Sequence, residues 1–92
     1  MSAKIEIETF DPSHFRVRVI EGGSESAHQI TLKAKDCERI SGGAAGPEAL
    51  IRKSFEFLLE REPKESILSR FDLTAIARYF PEYEREIKKK LA

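Results

Sequence analysis

Three short stretches near the start of the chain alternate apolar and polar residues with period two, the signature of strands exposed on one face. In Lys4–Phe10, Ile5 and Ile7 share a face opposite Glu6 and Glu8. In Phe15–Ile20, Phe15, Val17 and Val19 lie opposite Arg16 and Arg18. In His28–Lys33, Ile30 and Leu32 lie opposite Gln29, Thr31 and Lys33. Asp11-Pro12-Ser13-His14 and Glu21-Gly22-Gly23-Ser24 have the residues that tight turns require. The pattern predicts a three-stranded antiparallel meander over 4–33. On its polar face Glu6 and Glu8 are placed to pair with Arg16 and Arg18.

The period then changes to that of a helix. A short helix is expected over Lys35–Ile40, followed by a glycine-rich loop over 41–46 and a long helix opened by Pro47 and running to Glu62. Leu50, Ile51, Phe55, Phe57, Leu58 and Leu59 cover roughly 200° of that helix. One sheet face cannot bury so wide a stripe, so the residues after 62, or a partner, must cover the rest. Over 63–91 a helical cap is expected. Pro63 opens a short helix through Arg70, and Asp72 caps a second over Leu73–Tyr79. Pro81 starts the last helix, in which Tyr83, Ile87 and Leu91 recur every four residues. Glu84–Lys88 and Glu86–Lys90 are spaced to pair along it. The predicted class is one α+β domain, a three-stranded antiparallel meander packed on a long helix and followed by short C-terminal helices.

Composition narrows the partners more than the fold. Ninety-two residues suit one domain, and a hydrophobic fraction of 40% beside a charged fraction of 35% suits a folded, water-exposed one. Lys+Arg and Asp+Glu are equal at 16 each, which disfavours a duplex-binding surface built on a basic excess. One cysteine, Cys37, excludes an internal disulfide scaffold. The opening MSAKIEIETF contains no apolar run of signal-peptide length, and no stretch approaches the ~20 apolar residues of a membrane span. The cytoplasm is the expected compartment, with no membrane partner.

FRVRVIEGG followed by LIRKSFEFLLEREPKESILSRFDLTAIARYFPEYEREI resembles a family of small hypothetical proteins of prokaryotes, most closely over residues 61–84. That resemblance implies no functional residue. The strand–strand–strand–helix order is similar to the HicB-type antitoxin fold. Here, though, a short helix and a glycine loop separate the third strand from the long helix, and the C-terminal helices are additional.

Candidate chemistry is sparse. The loop Ser41-Gly42-Gly43-Ala44-Ala45-Gly46 leads into a helix where a phosphate can be cradled, but Pro47 removes an N–H and Glu48 puts a negative charge at the position. His14, His28 and Cys37 have no metal-ligand spacing. They read as two surface histidines and a buried structural cysteine. The many carboxylates fall on polar faces, where ordinary pKa values are expected. No catalytic, cofactor-binding or metal-binding residue is assigned, and no cofactor is expected.

Two surfaces remain. Arg78, Tyr79 and Tyr83 form a candidate aromatic–basic partner surface of the composition favoured at interface hot spots. The segment Glu65–Phe80 also has the outline of a helix-turn-helix, with Lys64, Arg70 and Arg78 as possible phosphate contacts. Its second helix, Leu73–Tyr79, offers few side chains able to read base edges. The primary expectation is therefore a non-enzymatic protein-interaction or regulatory module whose partner is another protein or a second copy, as a homodimer. Nucleic-acid binding, through this segment or the Arg16/Arg18 sheet face, is the alternative.

Overall fold

A computed structural model describes residues 3–91. Strands β1 (Lys4–Asp11), β2 (His14–Glu21) and β3 (Ser24–Thr31) form the meander. Pairing runs Glu6 opposite Arg18 and Glu8 opposite Arg16, then Val17 opposite His28 and Phe15 opposite Ile30. Ile5, Phe15, Val17, Val19 and Ile30 therefore share the buried face. On the other face Arg18 pairs with Glu6, and Arg16 approaches Glu8 at 3.8 Å. The second turn works because Gly22 and Gly23 adopt φ values of 59° and 84°, the double left-handed geometry that matches a hairpin's twist.

The class is α+β, but the sheet has four strands and is mixed. After helices α1 (Ala34–Ser41) and α2 (Pro47–Leu59), the chain returns as β4 (Arg70–Asp72), which lies parallel to β3 at the sheet's edge. This corrects both the three-stranded antiparallel sheet and the short helix expected over 63–70. Only Lys64–Ser66 turns, as a single 3-10 loop, before the backbone extends at Ile67. Seven residues after Pro63 are too few to hold a helix without a wide apolar face. Their main chain is satisfied elsewhere. The Gln29 N–H donates to the Ser69 carbonyl at 2.8 Å, and the His28 ring donates from Nδ1 to the Leu68 carbonyl at 2.7 Å.

α1 ends on Gly42, whose φ of 66° permits its N–H to turn back to the Glu38 carbonyl. The glycine stretch is thus a cap and a linker. α2 stops at Leu59, short of Glu62, and Arg61 closes its end. The Arg61 guanidinium lies 3.6 Å from the Phe57 ring centroid, donates to the Phe57 carbonyl and reaches Glu82. Asp72 caps the next turn as its sequence position implies, accepting from the Thr74 N–H at 2.9 Å. That turn (Leu73–Ala75) runs into α3 (Ile76–Tyr79), and α4 spans Tyr83–Leu91.

The broad apolar stripe of α2 is covered from within the chain. Leu50, Ile51, Phe55 and Phe57 are each fully buried, together with Tyr83 and Ile87 of α4. Phe57 meets Phe80 and Tyr83 edge-on, at 5.8 and 5.3 Å between ring centroids. The expected i,i+4 pairs of α4 give way to tertiary ones. Glu84 bonds Arg39 of α1 at 2.8 Å, and Lys90 bonds Glu60 at 2.7 Å. The stripe of α2 is therefore largely covered, and only its end, at Leu58, borders an open apolar surface.

Candidate functional site

The free apolar surface lies where α2 ends, β4 begins and α3 turns away. A groove of about 360 Å3 opens there. Leu58, Ile67, Phe71, Ile76 and Phe80 line its interior. Leu68, about half exposed, and Tyr79, two-thirds exposed, stand at its margin, and Glu62 supplies a carboxylate. Each wall has a local cause. Phe71 is the β4 residue facing the core, opposite Ile30 in register and 6.2 Å from the Phe55 ring. Ile76 and Phe80 lie four apart on the α3 turn, on the face that packs inward. Leu68 is held outward because its own carbonyl is tied back to His28.

His28 is the support beneath this surface. It is buried rather than on the surface, which corrects the expectation for this histidine. Its Nδ1–H donates to the Leu68 carbonyl, so Nε2 is left to accept from the Ser26 hydroxyl at 2.8 Å. Its ring packs against Phe55 at 5.3 Å. Position 28 occupies the core face in the β2–β3 register, opposite Val17.

The candidate partner residues separate. Arg78 and Tyr79 are exposed. Tyr83 is fully buried and is not part of any surface. The Ser54 hydroxyl donates to the Leu50 carbonyl at 2.7 Å, so the Tyr83 hydroxyl donates to Ser54 Oγ at 2.6 Å. Burial first, only partly offset by this bond, pushes the Tyr83 phenol well above its ordinary value.

The helix-turn-helix is corrected by the extended backbone at Ile67 and β4, which occupy the place of its first helix. Its three cations do not act together. Lys64 is buried and bound to Glu65 at 2.7 Å, with Glu21 at 3.9 Å. Arg70 points to the polar sheet face, whereas Arg78 sits on α3.

The other candidates stay apart. His14 bonds both oxygens of Asp11, at 2.8 and 2.9 Å, within the first turn. Cys37 is buried in α1, and burial, then the Glu38 charge, raise its thiol so that it stays protonated. Among the described residues no three His, Cys, Asp or Glu side chains converge as a metal site. No helix among them is long and apolar enough to cross a membrane. The carboxylates are less ordinary than expected. Lys4, then Arg18, lower Glu6, Lys90 lowers Glu60, and Lys64 lowers Glu65. The Ser13 N–H and His14 lower Asp11, and the N–H of Glu82 itself, then Arg61, lowers Glu82. Asp11, Glu60 and Glu65 are exposed and Glu6 and Glu82 partly so, and each shift marks an ion pair or a turn rather than a reactive group.

Sequence reasoning missed β4, and with it Leu68, Phe71 and the groove. Three residues give too short an alternation to register as a strand. The one available signal was the pair Ile67-Leu68, two adjacent large apolar residues of which a short helix buries only one.

No protein-family model, no curated protein and no solved structure matches this chain.

Proposed function

We propose that this chain is a non-catalytic protein-interaction domain whose partner seats on the groove between α2, β4 and α3. One observation carries the reading. Of the three large hydrophobic side chains exposed among the described residues, Leu68 and Tyr79 border the same apolar groove. The third, Phe10, lies apart on β1 at the opposite edge of the sheet, with the Arg16 guanidinium 5.2 Å from its ring centroid. Apolar side chains gathered around one concavity mark a binding surface more than the same residues scattered singly. Tyr79 beside Arg78 adds the aromatic and guanidinium chemistry on which interface energy concentrates. A single buried thiol suits the reducing cytoplasm, which we take as the compartment.

The test is affinity capture of the intact chain from extract of cells that express it, with and without nuclease, beside the double variant Leu68→Glu/Tyr79→Glu. Leu68 is half exposed and Tyr79 two-thirds exposed, so the variant is expected to keep the fold. A protein retained after nuclease by the wild type and lost by the variant supports the reading. Retention that ignores the variant, or that vanishes with nuclease, rejects it. The second result moves the assignment to nucleic acid.

A further inference from the structure

We propose that the partner is held as an added strand. An extended segment with alternating apolar and acidic side chains lies along the outer edge of β4. Its apolar side chains enter the groove, and a carboxylate on the opposite face meets Arg70. The inference rests on the interaction-domain reading and specifies the form of the partner.

The main chain supplies the first argument. β4 is the last strand of the sheet, with β3 on one side only. The bond from the Gln29 N–H to the Ser69 carbonyl fixes which groups face β3. In a parallel ladder the amides alternate, so the N–H and C=O of Arg70 point away from β3. Outside the sheet pairing, neither group makes a hydrogen bond among the described residues. Unpaired groups of this kind are a template for a further strand. The opposite edge is less open. The Arg52 guanidinium donates to the Ile5 carbonyl of β1 at 2.6 Å, and the β1 register slips between Thr9 and Asp11.

The side chains supply the second. Successive residues of an added strand alternate between the two faces of the sheet. On one face Phe71 borders the apolar groove. On the other, Arg16, Gln29 and Arg70 are direct cross-strand neighbours on β2, β3 and β4. With strands about 4.8 Å apart, the two arginines stand about 10 Å from each other at the backbone, with a carboxamide between. They border a depression of about 540 Å3 on that face. Arg70 makes no ion pair among the described residues, whereas Arg16 leans toward β1, over the Phe10 ring and 3.8 Å from Glu8. The next row inward is satisfied, since Arg18 pairs with Glu6 and Glu25. Among the described arginines and lysines of the sheet's polar face, Arg70 at the β4 edge is the one without a counter-charge. A carboxylate on the added strand, in the same cross-strand row as Arg70, completes it. A continuous polyanion fits poorly, because Glu8 closes the row and Glu62 stands in the groove.

The test is selection of a displayed random library of peptides about twelve residues long, enough for one strand, on the intact chain. Enriched peptides are expected to alternate apolar and acidic residues. Arg70→Glu should weaken them about fivefold to tenfold, the scale of one or two exposed ion pairs. Leu68→Glu should abolish binding, N-methylation of alternate peptide amides should do the same, and the Arg70 amide should exchange more slowly in the complex. Peptides with apolar residues at helical spacing, or peptides indifferent to Arg70→Glu and N-methylation, overturn strand addition but leave the groove reading standing. No enrichment, or binding indifferent to Leu68→Glu, overturns both. Light scattering closes the remaining route. A wild-type dimer dispersed by Arg70→Glu makes the occupant a second copy and overturns the proposal of a distinct partner.

Discussion

Removing the hydroxyl of Ser54 should cost more than removing that of Tyr83, although both break the same hydrogen bond. Both side chains are fully buried. Because the Ser54 proton goes to the Leu50 carbonyl, Tyr83 is the donor in the bond between the two hydroxyls. Tyr83→Phe deletes that donor and leaves Ser54 still bound to Leu50, so the loss is one net hydrogen bond, about 1 kcal/mol. Ser54→Ala strands the Tyr83 O–H in a dry core, which costs about 1–3 kcal/mol. The double variant strands nothing and should cost about 1 kcal/mol less than the sum of the singles. Urea unfolding followed by circular dichroism measures all three, provided the slope is unchanged between variants. At this chain length 1 kcal/mol moves the midpoint by about 4–8 °C in a thermal scan. Additive costs, or a Tyr83→Phe variant less stable than Ser54→Ala, would refute the assigned donor direction and the burial of Tyr83.

The same residue sets an alkaline limit. Its folded pKa is raised above the ordinary value of 10.0, so the unfolded chain loses this proton first as pH rises. Stability should be unaffected by this group below pH 10 and fall above it by up to about 1.4 kcal/mol per pH unit; Tyr83→Phe should flatten that slope in alkaline urea titrations. His28→Leu removes the bonds to Ser26 and Leu68 while keeping an apolar body in the core, and should cost about 1–3 kcal/mol. Its distinguishing sign is faster amide exchange at residues 67–72 with β1 and β2 unchanged. Gly42→Ala forces a side chain into left-handed backbone beside the Lys88 stem, 3.8 Å away, and should cost about 1–2 kcal/mol by thermal unfolding.

What the chain discloses by reading alone depends on whether a signal is local. The meander is visible because Ile5, Ile7, Val17 and Val19 alternate against charged neighbours, and one period-two pattern fixes both the strand and its buried face. α2 is visible because Leu50 to Leu59 repeat at helical spacing after a proline. β4 is not visible. Its pairing partner lies some 40 residues away, as the His28–Leu68 bond records, and three residues are shorter than any pattern. Tyr83 and His28 fail for another reason. Polar-tipped residues are judged by composition as surface, yet here each tip finds its partner inside, at Ser54 and at Leu68. The groove inherits both difficulties, since Phe71 stands on the unseen strand and Leu68 is positioned by the misjudged histidine.

The parallel placement of β4 also governs when the surface comes into being. The three-strand meander closes through two short turns, so it can assemble early from contacts between near neighbours. β4 reaches β3 only after α1 and α2 have been threaded between them, and such distant closures come late and with a large entropic cost. Residues 63–72 are held to the sheet by three register pairs and the His28 bond, so this unit is expected to open at a lower free energy than the meander. Detaching that unit erases the groove and the strand edge together while β1 to β3 stay intact. Occupancy by a partner would therefore be read most sensitively as slowed hydrogen exchange across this one segment.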